Sequence, residues 1–285
     1  MTTPKQIAVI TDSASDLDDA RLQELGVDVV PLSVRFGDEE FVDKIELSRE
    51  EFWRRADTSE ELPGTAAPSP GAFAEAFTKA KSQGAQGVVC VTLSAELSAT
   101  FQSAMGAAQI VKDDIDVRVV DSKTCTVGQA RIVEAAALAA QSGSDLNSVE
   151  ATAKQCAANQ KLFGALNTLE NLRKGGRIGA AGAFFATLLS VKPLITIEEG
   201  VVKPVSKQRT RSKSLRQLAN IVLENAPVEK VGVCDSGADD VDEFIEMLKP
   251  AVAAKDVLRC EMGPTIGVHG GKGLIAVTFA PVTHD

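Results

Sequence analysis

The side chains that offer chemistry in this 285-residue chain are hydroxyls, guanidinium groups and one well-placed imidazole. Thr65 sits in the proline-broken turn PGTAAPSP (Pro63–Pro70), ahead of a helix-like segment. Ser98 lies in VTLSAELSATFQSA (Val91–Ala104), where an apolar run ends at Leu93 and a helix begins near Ser98. Free amides at a helix start attract an anion, and a serine there adds a donor. The same hydroxyl serves equally as an ordinary cap. His269 stands in the glycine-flanked stretch GVHGGKG, a setting that also suits an exposed loop residue. Arg177 lies in the loop KGGRIG. A second basic stretch, KQRTRSK (Lys207–Lys213), puts four cations in seven residues. It reads either as a solvated turn or as a docking patch for an acidic or phosphorylated partner. Nothing in the local sequence neutralises its Arg209 and Arg211.

Other chemistries are missing. There is no GxSxG elbow, no HExxH, and no GxGxxG after the first strand. GVHGGKG mimics a P-loop but lacks its spacing and the Ser/Thr after the lysine. His269 and His284 are the only histidines, so a histidine-rich metal site is excluded. Five scattered cysteines without a CxxC pair argue against a disulfide framework or a zinc site. A net charge of −9 disfavours nucleic acid and anionic membrane surfaces. Aromatic content is 4% with no tyrosine, which leaves few platforms for stacking bases. The start MTTPKQIAVITDS is too short in apolar residues for a signal peptide. The longest uncharged run, Ile178 to Val191, falls short of the ~20 residues a membrane span needs. The expectation is a soluble cytoplasmic protein with no stable membrane anchor.

The elements that must position these residues alternate. Ile7–Thr11, Val27–Val34, Val88–Leu93 and Val117–Val120 read as strands, with helices such as Ser69–Gln83 and Ile132–Gln141 between them. That pattern predicts βαβ units and a parallel sheet covered on both faces. In the segment after Ser98, Phe101, Met105 and Ala108 mark a helical apolar face. Beyond about residue 160, Leu162–Thr168, Pro193–Ile197, Val201–Val205, Val231–Cys234 and Gly273–Phe279 read as strands. Glu199-Gly200 reads as a tight hairpin turn. Ala183–Leu189, Ser214–Glu224 and Asp240–Leu248 read as helices. A boundary near residue 160 divides the chain into 1–160 and 161–285. Three strands end in Asp-Ser (Asp12-Ser13, Asp121-Ser122, Asp235-Ser236), as helix caps or as walls of a ligand crevice.

ITDSASDL, PGTAAPSP, LSAELSATFQSA, VVDSKT, LENLRKGGRIG, VKPLITIEEGVV and GPTIGVHGGKG, in this order, resemble the DegV family of bacterial fatty-acid-binding proteins. The resemblance covers essentially the whole chain. It implies two α/β domains, the first with a mainly parallel sheet and flanking helices, the second with a mixed sheet, and a lipid held between them. It also implies a bound long-chain fatty acid and no cofactor. The carboxyl group would meet Thr65 and Ser98, with Ser94 as the competing serine, and His269 and Arg177 match the family's histidine and glycine–arginine loops. The tail would lie in an apolar tunnel, for which Phe184, Phe185, Leu188 and Leu189 are candidate walls or plain core. The family's lipid is presented to a separate fatty acid kinase, so the chain would be a carrier and not the catalyst. Arg209 and Arg211 would then belong to the kinase-docking face. Two departures bear on the rim: the threonine loop reads Thr65-Ala66-Ala67-Pro68 where threonine–serine–glutamine–proline is usual, and Gly270-Gly271-Lys272 replaces the more usual residues after the histidine. Two other readings stand beside this one: an acyl-transfer enzyme using Ser98 and His269, and a non-lipid regulatory binding module.

Overall fold

The structure, a computed structural model, describes residues 7–59, 61–185 and 191–282. Its first sheet is parallel throughout, in the order Asp28–Val30, Ile7–Asp12, Gly87–Thr92, Asp116–Asp121. Gly87–Thr92 is buried along its whole length. Because side chains alternate across a strand, Val88 and Cys90 join the cluster under helices Pro70–Ser82 and Thr100–Ile110. Val89 and Val91 enter the larger cluster shared with helices Thr126–Gln141 and Leu146–Asn159. The second sheet is mixed, in the order Val201–Gln208, Lys192–Glu198, Lys161–Ala165, Ile275–Pro281, Val228–Asp235, Leu258–Glu261. Only its last pair is parallel. Glu199 and Gly200, at φ 53° and 80°, close its first hairpin as the sequence reading expected.

A third, antiparallel sheet of Glu39–Val42, Ser33–Phe36 and Gly64–Ala66 was not expected. It arises because the anticipated strand Val27–Val34 is broken. Pro31 has no N–H to give a ladder, and the next amide, that of Leu32, donates to Ser13 Oγ at 3.1 Å. The chain leaves the parallel sheet at Val30 and starts the small sheet at Ser33.

Two further readings are corrected. On helix Thr100–Ile110 the buried face is Thr100, Ala104 and Ala107, while Met105 is 38% exposed. Small residues occupy that face opposite large ones: Ala104 and Ala107 share a core with Phe73, Phe77 and Ala80 of helix Pro70–Ser82. His269 lies in a helix, Pro264–Gly270, and not in a loop. Pro264 stands in its first turn, where a missing N–H costs nothing, and Gly271 ends it at φ 74°. Of the residues named as candidate tunnel walls, Leu188 and Leu189 lie outside the described residues. Phe184 is 48% exposed with Lys207 over its ring.

Candidate functional site

A cavity of about 290 Å³ opens in the wall of the largest apolar cluster. Leu162, Ile195 and Val202 from the mixed sheet, with Leu166 just past its strand, line it together with Leu93 and Cys125. Helix Pro264–Gly270 and the residues before it contribute Met262, Thr265, Ile266, His269 and Gly270. These positions fall on one helical face.

Thr65, Ser98, Arg177 and His269 all line this cavity. Thr65 lies on strand Gly64–Ala66, opposite Val34, and its Oγ1 is 3.0 Å from His269 Nε2. The ring's other nitrogen, Nδ1, is buried without a hydrogen-bond partner among the described residues. Burial, and then the nearby Arg177 guanidinium, push the His269 pKa down to about 4. The imidazole is therefore neutral at pH 7, with one donor and one acceptor nitrogen. Gly175 explains how the ring fits: a Cβ there would stand 2.4 Å from Nδ1. Arg177 is held by its own neighbourhood, Nε donating to Leu97 O at 3.2 Å and Nη1 to Gly175 O at 2.7 Å.

Ser98 Oγ lies 2.9 Å from Thr100 Oγ1 and accepts the Thr100 amide at 3.3 Å. The helix it precedes has no side-chain cap at Ala99. Its Oγ pairs with Thr100, and among the described residues it makes no hydrogen bond to His269. Ser94 is absent from the cavity wall. Its buried hydroxyl donates to Gly200 O at 2.7 Å, fastening the hairpin tip. Arg209 and Arg211 are also away from the cavity. Arg209 is exposed, whereas Arg211 grips Asp240 with two N–H groups at 2.8 and 2.9 Å. The cation at 211 is neutralised from 29 residues away, which local sequence did not show.

None of the three Asp-Ser pairs lines the cavity. Their carboxylates collect loop amides instead: Asp12 those of Leu93 and Ala14, Asp121 those of Ala95 and Lys123, Asp235 that of Ala238.

Three threonines of the cavity wall escaped sequence reasoning, one of them Thr196, whose Oγ1 donates to Leu162 O at 2.8 Å. Thr126 begins helix Thr126–Gln141 at φ 48°, an unusual conformation for a β-branched residue. Thr265 Oγ1 donates to Asp43 Oδ2 at 2.7 Å. Asp43 is one of three buried carboxyls beneath the site. Asp16 Oδ1 accepts the Gly263 amide at 2.8 Å. Burial pushes Asp12 up to about 6 and Asp16 up to about 7, and also raises Asp43. Among the described residues no group of three or more His, Cys, Asp or Glu could hold a metal ion. The signal that was available for Thr265 was the spacing of Met262, Thr265, Ile266 and His269, hidden by the intervening glycines.

A partly open, mainly apolar cavity with its hydroxyls, imidazole and guanidinium brought from four separate segments is the kind of pocket that suits a ligand mostly apolar with a polar end. The comparisons give the family. The family model described as "Uncharacterised protein, DegV family" matches residues 6–282, and the chain belongs to that family. A DegV domain-containing protein of Streptomyces coelicolor is 33% identical over 280 residues, 97% of this chain and 99% of the relative. One from Halalkalibacterium halodurans is 31% identical over 278 residues, 96% and 98% of the two chains. Among solved structures, a DegV family protein of Thermus thermophilus described for its fatty acid binding has a TM-score of 0.89 at 30% identity, covering 97% of this chain and 100% of its own. A stearic acid-binding protein of Eubacterium ventriosum has a TM-score of 0.85 at 27% identity, covering 96% and 98%.

Proposed function

We propose that the chain binds a long-chain fatty acid in this cavity and presents its carboxyl group to a separate fatty acid kinase, itself performing no chemistry. The observation that carries the reading is the meeting of Thr65 and His269 at 3.0 Å on the wall of an otherwise apolar cavity. Each CH₂ removed from water contributes ~0.8 kcal/mol, so sixteen or so carbons supply on the order of 10 kcal/mol before ordering costs. The carboxylate, which is costly to bury, needs donors. Thr65 and Ser98 supply hydroxyls and Arg177 supplies charge. The neutral His269 pairs with Thr65 through Nε2, and with the ring proton on that nitrogen the Thr65 hydroxyl is left to turn toward the ligand. Phosphorylation would add charge at the same place, where Arg177 is the available counter-charge.

For the kinase-facing surface we propose Arg209, which is exposed; Arg211, held by Asp240, supports the helix that begins beside it. All five cysteines are free thiols, which supports a reducing, cytoplasmic setting. Among the described residues no helix is long and apolar enough to cross a membrane. Extraction of the purified protein with organic solvent, followed by mass spectrometry, should yield about one fatty acid per chain. A protein that releases no lipid and takes up no added stearic acid overturns the reading.

A further inference from the structure

We propose that Asp43 and Asp16 are positioning residues: from the N-terminal part of the chain they set the register of the helix that carries His269, and so determine whether the cavity distinguishes a carboxylate from a neutral head. The inference rests on the fatty-acid reading of the cavity.

Helix Pro264–Gly270 has seven residues and no side-chain cap at its start. A helix of that length does not hold itself together. Its outward side is packed by apolar contact, Val268 joining Val34, Leu47 and Phe52, and a Cβ on Gly267 would stand 2.8 Å from the Phe52 ring. Such contact is non-directional. Directional bonds reach it from several sides, Asn171 Nδ2 donating to Val268 O at 2.9 Å and Ser236 Oγ to Gly271 O at 2.7 Å from the C-terminal part of the chain, and two come from carboxylates of the N-terminal part. Asp16 Oδ1 takes the Gly263 amide at 2.8 Å, and Asp43 Oδ2 takes the Thr265 hydroxyl at 2.7 Å. Thr265 is one turn before His269, and both line the cavity.

Asp43 directly follows strand Glu39–Val42, and Thr65 lies on strand Gly64–Ala66. Both strands pair with Ser33–Phe36. One sheet therefore touches the helix twice, through Asp43 on Thr265 and through Thr65 on His269. The first contact fixes the turn that makes the second. Stability alone gives no reason for such carboxyls, since well-packed apolar replacements for buried charge are often neutral or stabilising. Their surroundings only partly compensate the burial. Arg49 attracts Asp16, Lys44 and the nearby Ser13 hydroxyl favour the charged form of Asp43, and Asp12 and Asp43 repel one another, as do Asp43 and Asp16. The Cys234 thiol faces Asp16 at 3.9 Å.

The test compares stearic acid with stearyl alcohol, ligands of one chain length, on the full chain. The wild type should favour the acid. Thr265→Val and Asp43→Ala should weaken the acid at least tenfold while the alcohol stays within about threefold, and Thr265→Ser should restore the acid. Asp16→Ala should act in the same direction. An unchanged acid-to-alcohol ratio in Thr265→Val overturns the proposal, as does equal loss of both ligands in variants that melt normally. Should Asp43→Ala fail to fold, the Thr265→Val and Thr265→Ser pair still decides. NMR titration of the two histidines separates this from the fatty-acid reading, because it needs no ligand. His269 should titrate at least one pH unit higher in Thr265→Val than in wild type, and His284 should not move. A wild type that takes neither ligand sinks the fatty-acid reading, and an unmoved His269 titration sinks the positioning role.

Discussion

The hydrogen bond between Thr65 and His269 leaves only one of the two free to serve a ligand, and its direction decides which. With the proton on Nε2, the ring donates to Thr65 and the threonine hydroxyl points onward. Thr65→Ala or Ser98→Ala should therefore each weaken stearic acid binding by roughly 1–3 kcal/mol, since each strips a donor from a buried polar group. Isothermal titration at pH 7.5 reads the loss. Ser94→Ala, whose hydroxyl faces Gly200 O, should lower Tm and leave affinity within about twofold. The reverse pattern between the two serines would put the head group at Ser94. Thr65, Ser98, Arg177 and His269 were singled out through the family resemblance together with the turns and helix start around them, and all four line the cavity. Thr265 was not singled out, because glycines at 267 and 270 made a helix look like a loop. Asp43 gave no local sign at all, since its partner lies 222 residues away.

Elements were legible where one force fixes them. The hairpin at Glu199-Gly200 and the parallel strands followed from turn chemistry and apolar runs. The strand at Val27–Val34 failed at a single imino acid, Pro31, whose consequence is a new sheet. The apolar face of helix Thr100–Ile110 failed because side-chain size was taken as the mark of burial, whereas Ala104 and Ala107 share a core with Phe73 and Phe77. Helix Arg211–Glu224 shows the limit for charge. KQRTRSK looked unpaired, yet Arg211 closes on Asp240. The two arginines should accordingly separate on charge reversal. Arg209→Glu should raise the apparent KM of kinase-dependent phosphorylation at least about tenfold, or 1.4 kcal/mol, with more effect at low salt, and should leave Tm unchanged. Arg211→Glu should lower Tm by setting a second carboxylate against Asp240. Kinase kinetics indifferent to Arg209→Glu would remove it from the docking face.

At the scale of the whole molecule, the parallel sheet is drawn from residues up to Asp121 and the mixed sheet from Lys161 onward, which supports the proposed division near residue 160. The largest apolar cluster nevertheless runs through both parts, from Ile7 to Ala276, so both should melt together. Their stability should depend on pH in a defined direction. A carboxyl whose folded pKa is raised contributes stability that is complete below its unfolded pKa, near 3.8, and is lost as pH rises through the folded value. For Asp12 that loss runs from about pH 3.8 up to about 6, and for Asp16 from about 3.8 up to about 7. His269 acts oppositely: its contribution is present above 6.5 and is lost as pH falls toward 4. Between pH 5 and 7.5, the Tm of Asp16→Asn relative to wild type should rise steadily in the variant's favour. A constant difference across that range would mean that Asp16 stays ionised. The strand Gly87–Thr92 carries the two cores in alternation, Val89 and Val91 for one, Val88 and Cys90 for the other. It is in effect a message with a reading frame of two. A conservative swap alters one letter for one recipient. A single inserted or deleted residue would deliver each core the other's text.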